Sequence, residues 1–379
     1  MLPATKTHRL SLADVLPSCL NSLRRQPNTL GLPAVDKAVV LLVDGLGTEA
    51  LSARAGHARQ LAPLVNRGTT IGAGFPSTTA AALATLTTGT APGQHGLVGY
   101  SVLDCANDRV VNQLRGWDER LDPSTWQRQR TIFEQAADVS IPSFVVAAEK
   151  YRHSGFTRAV LRGAEYRSAP SIAERLAVAR DILDTSERAL VYVYVPELDM
   201  AAHSDGWESP LWTRQLESVD SAVWDFSATL RRREGLLLTA DHGIIDIPAR
   251  SHVIFGDDGR LVDGIRFVAG EPRCLQLHFE PDSSPAVRAA VVAAWRAAEG
   301  ERSWIVERNE AIAAGWFGAS VDAEVVPRIG DVIVAARKNI AYYDSRVSGS
   351  GGRNMVGQHG SLTATETAIP LLRFGSFAA

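Results

Sequence analysis

A-V-V-L-L-V-D-G-L-G, residues 38–47, is the stretch that decides the fold. Six apolar residues in a row, closed off by glycines, read as a strand buried on both faces. That is the pattern of a parallel sheet covered by helices on each side. The run ends in Asp44. A carboxylate at the carboxyl end of a central strand stands where open α/β sheets place their sites. Two further apolar runs repeat the arrangement. A-L-V-Y-V-Y-V (189–195) leads into P-E-L-D-M-A-A-H, which carries Asp199 and His203. L-L-L-T (236–239) leads into A-D-H-G, which carries Asp241 and His242. Shorter strands are expected at 69–73, 143–147 and 368–374. Helical patterns are expected at 11–23 (with Pro17 as a break), 58–67, 131–137, 172–183 and 211–232. Residues 117–129 and 150–153 read as loops. Strands alternating with helices predict an α/β fold, a three-layer α/β/α sandwich around a mostly parallel central sheet.

The pattern changes at residue 245. Strand-like pieces (265–268, 274–279, 304–306, 332–335) alternate there with two helical pieces (285–298, 309–316). This predicts a small α+β cap, 245–337, inserted into a core made of 1–244 and 338–379. The Gly/Ser run from Ser348 to Gly352 reads as a mobile connector.

Composition removes several function classes. A net charge of −3 provides no basic field for a nucleic-acid polymer or an acidic membrane. Cys19, Cys105 and Cys274 are odd in number and scattered. They predict no disulfide framework and a reducing, cytoplasmic setting. Residues 1–11 lack the apolar centre of a secretory leader, and no apolar run reaches the length of a membrane span.

The second informative stretch is G-F-P-S-T-T-A-A-A-L-A-T-L-T-T-G-T-A-P-G-Q-H-G, residues 74–96. Phe75 and Pro76 end an extended segment. Ser77, Thr78 and Thr79 are N-cap types, an alanine-rich helix follows, and Gly89 stops it. A hydroxyl at the first turn lies at the positive end of the helix dipole, which favours an alkoxide and an incoming anion. Near the end of the chain His359 stands between glycines in G-Q-H-G. Alone, each motif is an ordinary cap or turn. Asp199 and His203, four residues apart, would share one helical face and could hold one metal. Together, Asp44, Asp199, Asp241, His203, His242 and His359 give three carboxylates and three imidazoles, the ligand set of a two-metal site. Two divalent cations bring four positive charges. Three carboxylates cancel three, leaving one for a threonine alkoxide or a phosphate oxygen. Zinc suits this mixture, with manganese as the alternative.

In these motifs, V-V-L-L-V-D-G-L-G, F-P-S-T-T through T-T-G-T-A-P-G-Q-H-G, P-E-L-D-M-A-A-H, T-A-D-H-G and the late G-Q-H-G, the chain resembles the alkaline phosphatase superfamily. Within it, the chain resembles the type I phosphodiesterase/nucleotide pyrophosphatase branch. The resemblance covers nearly the whole chain. It implies one metal held by Asp199, His203 and His359, and another held by Asp44, Asp241 and His242. It also implies in-line displacement at phosphorus through a phosphothreonine. In the superfamily the nucleophile precedes the glycine of a downstream T-G by ten positions. Thr88-Gly89 therefore selects Thr79, with Thr78 as runner-up. Two features depart from the branch. Phe-Pro precedes the nucleophile instead of following it, and Tyr100 stands where an asparagine commonly helps hold a phosphate oxygen. The implied substrate is a small phosphate ester or a nucleotide. A phosphomonoesterase, a phosphonate hydrolase, a metal-dependent phosphomutase and a non-catalytic phosphate-binding protein would use the same scaffold.

Overall fold

The computed structural model describes residue 2 and residues 8–347 and 351–378. Seven strands form the main sheet, in the order Thr70–Gly72, Ala368–Gly375, Glu234–Thr239, Lys37–Val43, Ala189–Val195, Ser143–Ala147 and Glu165–Ser168. Lys37–Val43 lies at the centre, with a parallel partner on each side. Its residues from Ala38 to Val43 are buried on both faces, as a continuous apolar run requires. The C-terminal strand Ala368–Gly375 runs antiparallel to both its neighbours. The fold is thus the α/β arrangement around a mostly parallel sheet read from the sequence.

Register places the site. Val43 pairs with Val195, and Leu42 pairs with Thr239. One, two and four residues further on respectively, Asp44, Asp241 and Asp199 leave the same edge of the sheet. Asp44 continues the ladder with its N–H on the Val195 carbonyl at 2.9 Å. The helix Glu197–Asp205 starts directly after its strand and so holds Asp199 and His203 on that edge.

Two local expectations need revision. Residues 58–67 form no α-helix. Short 3₁₀ turns stand there at Ala55–His57, Ala62–Leu64 and Arg67–Thr69. Pro63 removes a donor from the segment, and the Asp220 carboxylate takes the Leu61 N–H at 2.9 Å. The opening helix, in contrast, is not broken by Pro17. After a 3₁₀ turn at Leu12–Asp14 it runs Val15–Leu23. Pro17 falls in its first turn, where an N–H has no intrahelical acceptor.

Within the insert, four antiparallel strands are ordered Ile265–Glu271, Cys274–Phe279, Val332–Ala336 and Ser303–Glu307. Ser284 caps the helix Pro285–Glu299, which packs Val291, Val292 and Trp295 against Leu275, Leu277 and Val334. The unit extends past residue 337. Ile340 and Tyr342 join its core, and Ala341–Asp344 pairs with His252–Phe255. The other face of its sheet, through Cys274, Ile333 and Ala335, packs on Phe75, Val98 and Val102 of the core. Ser348, Gly349 and Ser350 of the Gly/Ser run lie outside the described residues, and Gly351–Asn354 is a 3₁₀ turn.

Leu41 is fully buried in the central strand three residues before Asp44. Leu41→Ala is expected to cost about 2–5 kcal/mol, measured as a lowered urea midpoint with an unchanged slope.

Candidate metal centre

Six of the residues singled out above come together as two groups of three. Asp44, Asp241 and His242 form one, and Asp199, His203 and His359 the other. Within each group one ligand atom per residue lies within 4.8 Å of the others. In the first, His242 Nε2 is 3.4 Å from Asp44 Oδ1 and 3.3 Å from Asp241 Oδ2. In the second, Asp199 Oδ2 is 3.3 Å from His203 Nε2, and Asp199 Oδ1 is 3.9 Å from His359 Nε2. The groups share a wall, because the His242 and His359 rings stack at 3.6 Å and 14°.

The tautomers are set from behind. His203 Nδ1 meets the Gly357 carbonyl at 2.7 Å, His242 Nδ1 the Gly243 carbonyl at 3.1 Å, and His359 Nδ1 the Ser77 carbonyl at 2.8 Å. A carbonyl only accepts, so each Nδ1 carries the proton and each Nε2 turns a lone pair into the centre. Burial pushes His242 down to about 3. Burial and the neighbouring imidazoles hold His359 well below its ordinary value. Both rings are therefore neutral at pH 7 and free to ligate.

The carboxylates are poised in the opposite sense. Burial, with the charges of Asp241 and Asp199, pushes Asp44 well above the usual range. Burial brings Asp199 up to about 6 and raises Asp241. Asp44 Oδ1, Asp199 Oδ1 and Asp241 Oδ2 are buried with no hydrogen-bond partner among the described residues. Their companion oxygens are served. Tyr194 Oη donates to Asp44 Oδ2, and the N–H groups of Gly45 and His242 donate to Asp241 Oδ1 at 3.1 and 3.0 Å. Three orphaned acceptors together with three lone-pair nitrogens are a donor set that fits cations.

Thr79 is the first residue of the helix Thr79–Thr88, and Thr78 is its N-cap. The Thr79 hydroxyl is 3.1 Å from His242 Nε2. That nitrogen is an acceptor, so the hydroxyl donates into the centre. The Thr78 hydroxyl is buried and lies on the Glu271 side, in no well-formed hydrogen bond. Tyr100 is in neither group. Its N–H donates to Glu271 Oε2 at 3.2 Å. Burial raises the Glu271 carboxyl well above the usual range, and this side chain of the insert packs on Gly360, next to His359.

Sequence reasoning passed over Tyr194, Gly357, Ser77 and Glu271. Only Tyr194 left a signal, as a hydroxylated side chain at the carboxyl end of a buried strand. Tyr151, in the stretch read as a loop, packs its ring on Tyr194 at 5.9 Å. Lys150 beside it lies 3.9 Å from the Met200 sulfur, next to Asp199.

Comparison with known proteins gives a family from one match and the fold from others. Residues 38–362 match the model for type I phosphodiesterase/nucleotide pyrophosphatase. An uncharacterized pyrophosphatase/phosphodiesterase of Schizosaccharomyces pombe is 24% identical over 179 residues, which span 45% of this chain and 36% of that protein. Among solved structures, phosphonoacetate hydrolase from Sinorhizobium meliloti with phosphonoacetate superposes with a TM-score of 0.69 at 17% identity, covering 90% of this chain and 91% of that one. An inactive threonine-to-alanine variant of murine ectonucleotide pyrophosphatase/phosphodiesterase 5 with AMP gives 0.66 at 15%, covering 90% and 88%. With the family model matched over most of the chain, the chain belongs to the type I phosphodiesterase/nucleotide pyrophosphatase family.

Proposed function

We propose that this chain is a two-metal phosphoric ester hydrolase in which Thr79 is the nucleophile. The observation that carries the reading is the Thr79 hydroxyl, aimed at His242 Nε2 from the first turn of a helix. Asp44, Asp241 and His242 would hold one divalent cation, and Asp199, His203 and His359 the other. Zinc is the cation this donor set suits best, with manganese as the alternative. When bound, such a pair polarises phosphoryl oxygens and lowers the pKa of a nearby hydroxyl.

Each residue then has a task. Thr79 loses its hydroxyl proton and attacks phosphorus in line, the bond to the leaving ester oxygen breaks opposite, and that group departs. Water then attacks the phosphothreonine, and the P–O bond to Thr79 breaks to restore the hydroxyl. The helix start stabilises the alkoxide and the incoming anion. The carbonyls of Gly243, Gly357 and Ser77 fix the ligand imidazoles, and Tyr194 orients Asp44. Thr78 faces Glu271 instead of the centre, which favours Thr79 over it. The inactive threonine-to-alanine variant among the structural neighbours supports a threonine in this role. Family membership favours phosphodiesters and nucleotide pyrophosphates as substrates. Small ligands such as AMP and phosphonoacetate in the neighbours point to a small substrate. Tyr100 remains a candidate for contact with the substrate.

Purified without chelator, the protein is expected to contain two equivalents of divalent metal by elemental analysis. A metal-free protein that takes up no zinc would contradict the reading. Thr79→Ala should lower kcat on a nitrophenyl phosphodiester by at least about 10³-fold while both metals stay bound, and Thr78→Ala should be mild. The reverse order would move the nucleophile to Thr78.

A pH effect follows from Asp199. A carboxyl raised in the folded state stabilises it at low pH, and that stability is lost as pH rises from its ordinary 3.8 through about 6. At pH 7 the metal-free Asp199→Asn protein should therefore melt higher than the metal-free parent, yet gain less on adding zinc. Equal melting of the two metal-free proteins would contradict this.

A further inference from the structure

Besides the contact of Glu271 on Gly360, the insert reaches the metal centre through a buried ion pair. Arg273 follows Glu271 and Pro272 at the turn between the first two insert strands. Its guanidinium and the Glu366 carboxylate are both fully buried. They meet in a fork, Nε to Oε1 at 2.9 Å and Nη2 to Oε2 at 2.8 Å. The remaining donors go to the carbonyls of Lys338, Ile340 and Ala336 at 2.8, 2.8 and 3.4 Å. All five N–H groups are used, a valence only arginine has.

Glu366 in turn touches the loops that carry the candidate ligands. Its Oε1 accepts the Ser361 N–H at 3.0 Å, two residues beyond His359. Its own carbonyl accepts the Gly243 N–H at 2.9 Å, one residue beyond His242. The preceding carbonyl, of Thr365, is so close that a Cβ on Gly243 would meet it at 2.0 Å, and one on Gly47 at 3.1 Å. Gly47 closes the loop that begins at Asp44. Three loops, from different parts of the chain, thus rest on residues 365–366. The charge of that segment is neutralised by an arginine from outside the core.

We infer that Arg273 is a positioning residue for the metal centre: through Glu366 it sets the backbone of the loops bearing Asp44, Asp241, His242 and His359. This rests on the two-metal reading above. The insert is then part of the centre's framework, not a detachable cover. Its removal would strand a buried carboxylate behind the ligands.

The test separates positioning from bolting. Arg273→Met alone leaves Glu366 buried and unpaired and is expected to destabilise the fold. Arg273→Met with Glu366→Met replaces the pair by apolar groups of similar length, a change that buried ion pairs often tolerate. The double variant still deprives the Ser361 N–H of its acceptor. It should melt near the parent but bind zinc about 10–100-fold more weakly, read by competition with a chromophoric chelator, and its kcat should fall. Arg273→Lys keeps the charge paired without the fork, and decides the matter if the double variant does not fold. Zinc affinity about 10-fold or more below the parent's is expected for it too. Parental zinc affinity in a folded double variant, or in Arg273→Lys, would reduce the pair to a structural bolt. A parent that binds no zinc would defeat the two-metal reading itself.

Discussion

Three carboxylates gathered at one edge of a mostly parallel sheet, with no lysine or arginine paired to them among the described residues, are the constraint on which this structure depends. Asp44, Asp241 and Asp199 stand together because their strands are adjacent and in register. Burial and mutual repulsion disfavour their charges. A protein that kept them together without a counter-charge would give up stability for nothing. Two of the imidazoles do not supply it, since burial holds His242 and His359 below their ordinary values. A counter-charge from outside the chain would relieve them, and the six inward-facing donors fit divalent cations.

Much of the surrounding structure follows from holding that cluster in place. Backbone carbonyls fix each imidazole, Tyr194 and two N–H groups occupy the carboxylate oxygens on the far side, and glycines let the loops approach one another. Gly243 and Gly47 are needed because the Thr365 carbonyl leaves no room for a side chain at the first and little at the second. The Arg273–Glu366 pair closes the arrangement from behind. A buried ion pair contributes little net stability by itself. Its value here lies in geometry, because it links the insert to the loops that present the ligands.

The sequence made the candidates legible for a physical reason. Asp44 and Asp241 each follow a buried apolar strand, Asp199 and His203 follow a strand of alternating valine and tyrosine, and His359 lies between glycines in G-Q-H-G. Thr79 was separable from Thr78 only by its spacing to Gly89, whereas in the structure the two hydroxyls face different neighbours. Long-range partners left no trace. Arg273 and Glu366 are 93 residues apart, and nothing local marks either as special. Tyr194 is marked only by its place near the carboxyl end of a buried strand. The segment 58–67 misled because its apolar spacing suits a helix while Pro63 and the distant Asp220 carboxylate dictate turns. The packing partners of the segment after residue 337 are equally invisible locally. Ala341–Asp344 is recognisable as part of that unit only through its pairing with His252–Phe255.

The central claim, that Thr79 becomes covalently attached to phosphorus, is open to a direct measurement. The zinc-loaded protein is mixed with a nitrophenyl phosphate ester, quenched in acid within one turnover, and digested with trypsin. Residues 68–109, which contain Ser77, Thr78 and Thr79, form one tryptic peptide. The account predicts that fragment-ion mass spectrometry finds the phosphoryl adduct on Thr79, and that it disappears when a chase without substrate precedes the quench. An adduct on Thr78 or on any other residue, or turnover with no adduct on the enzyme under any quench, would contradict it.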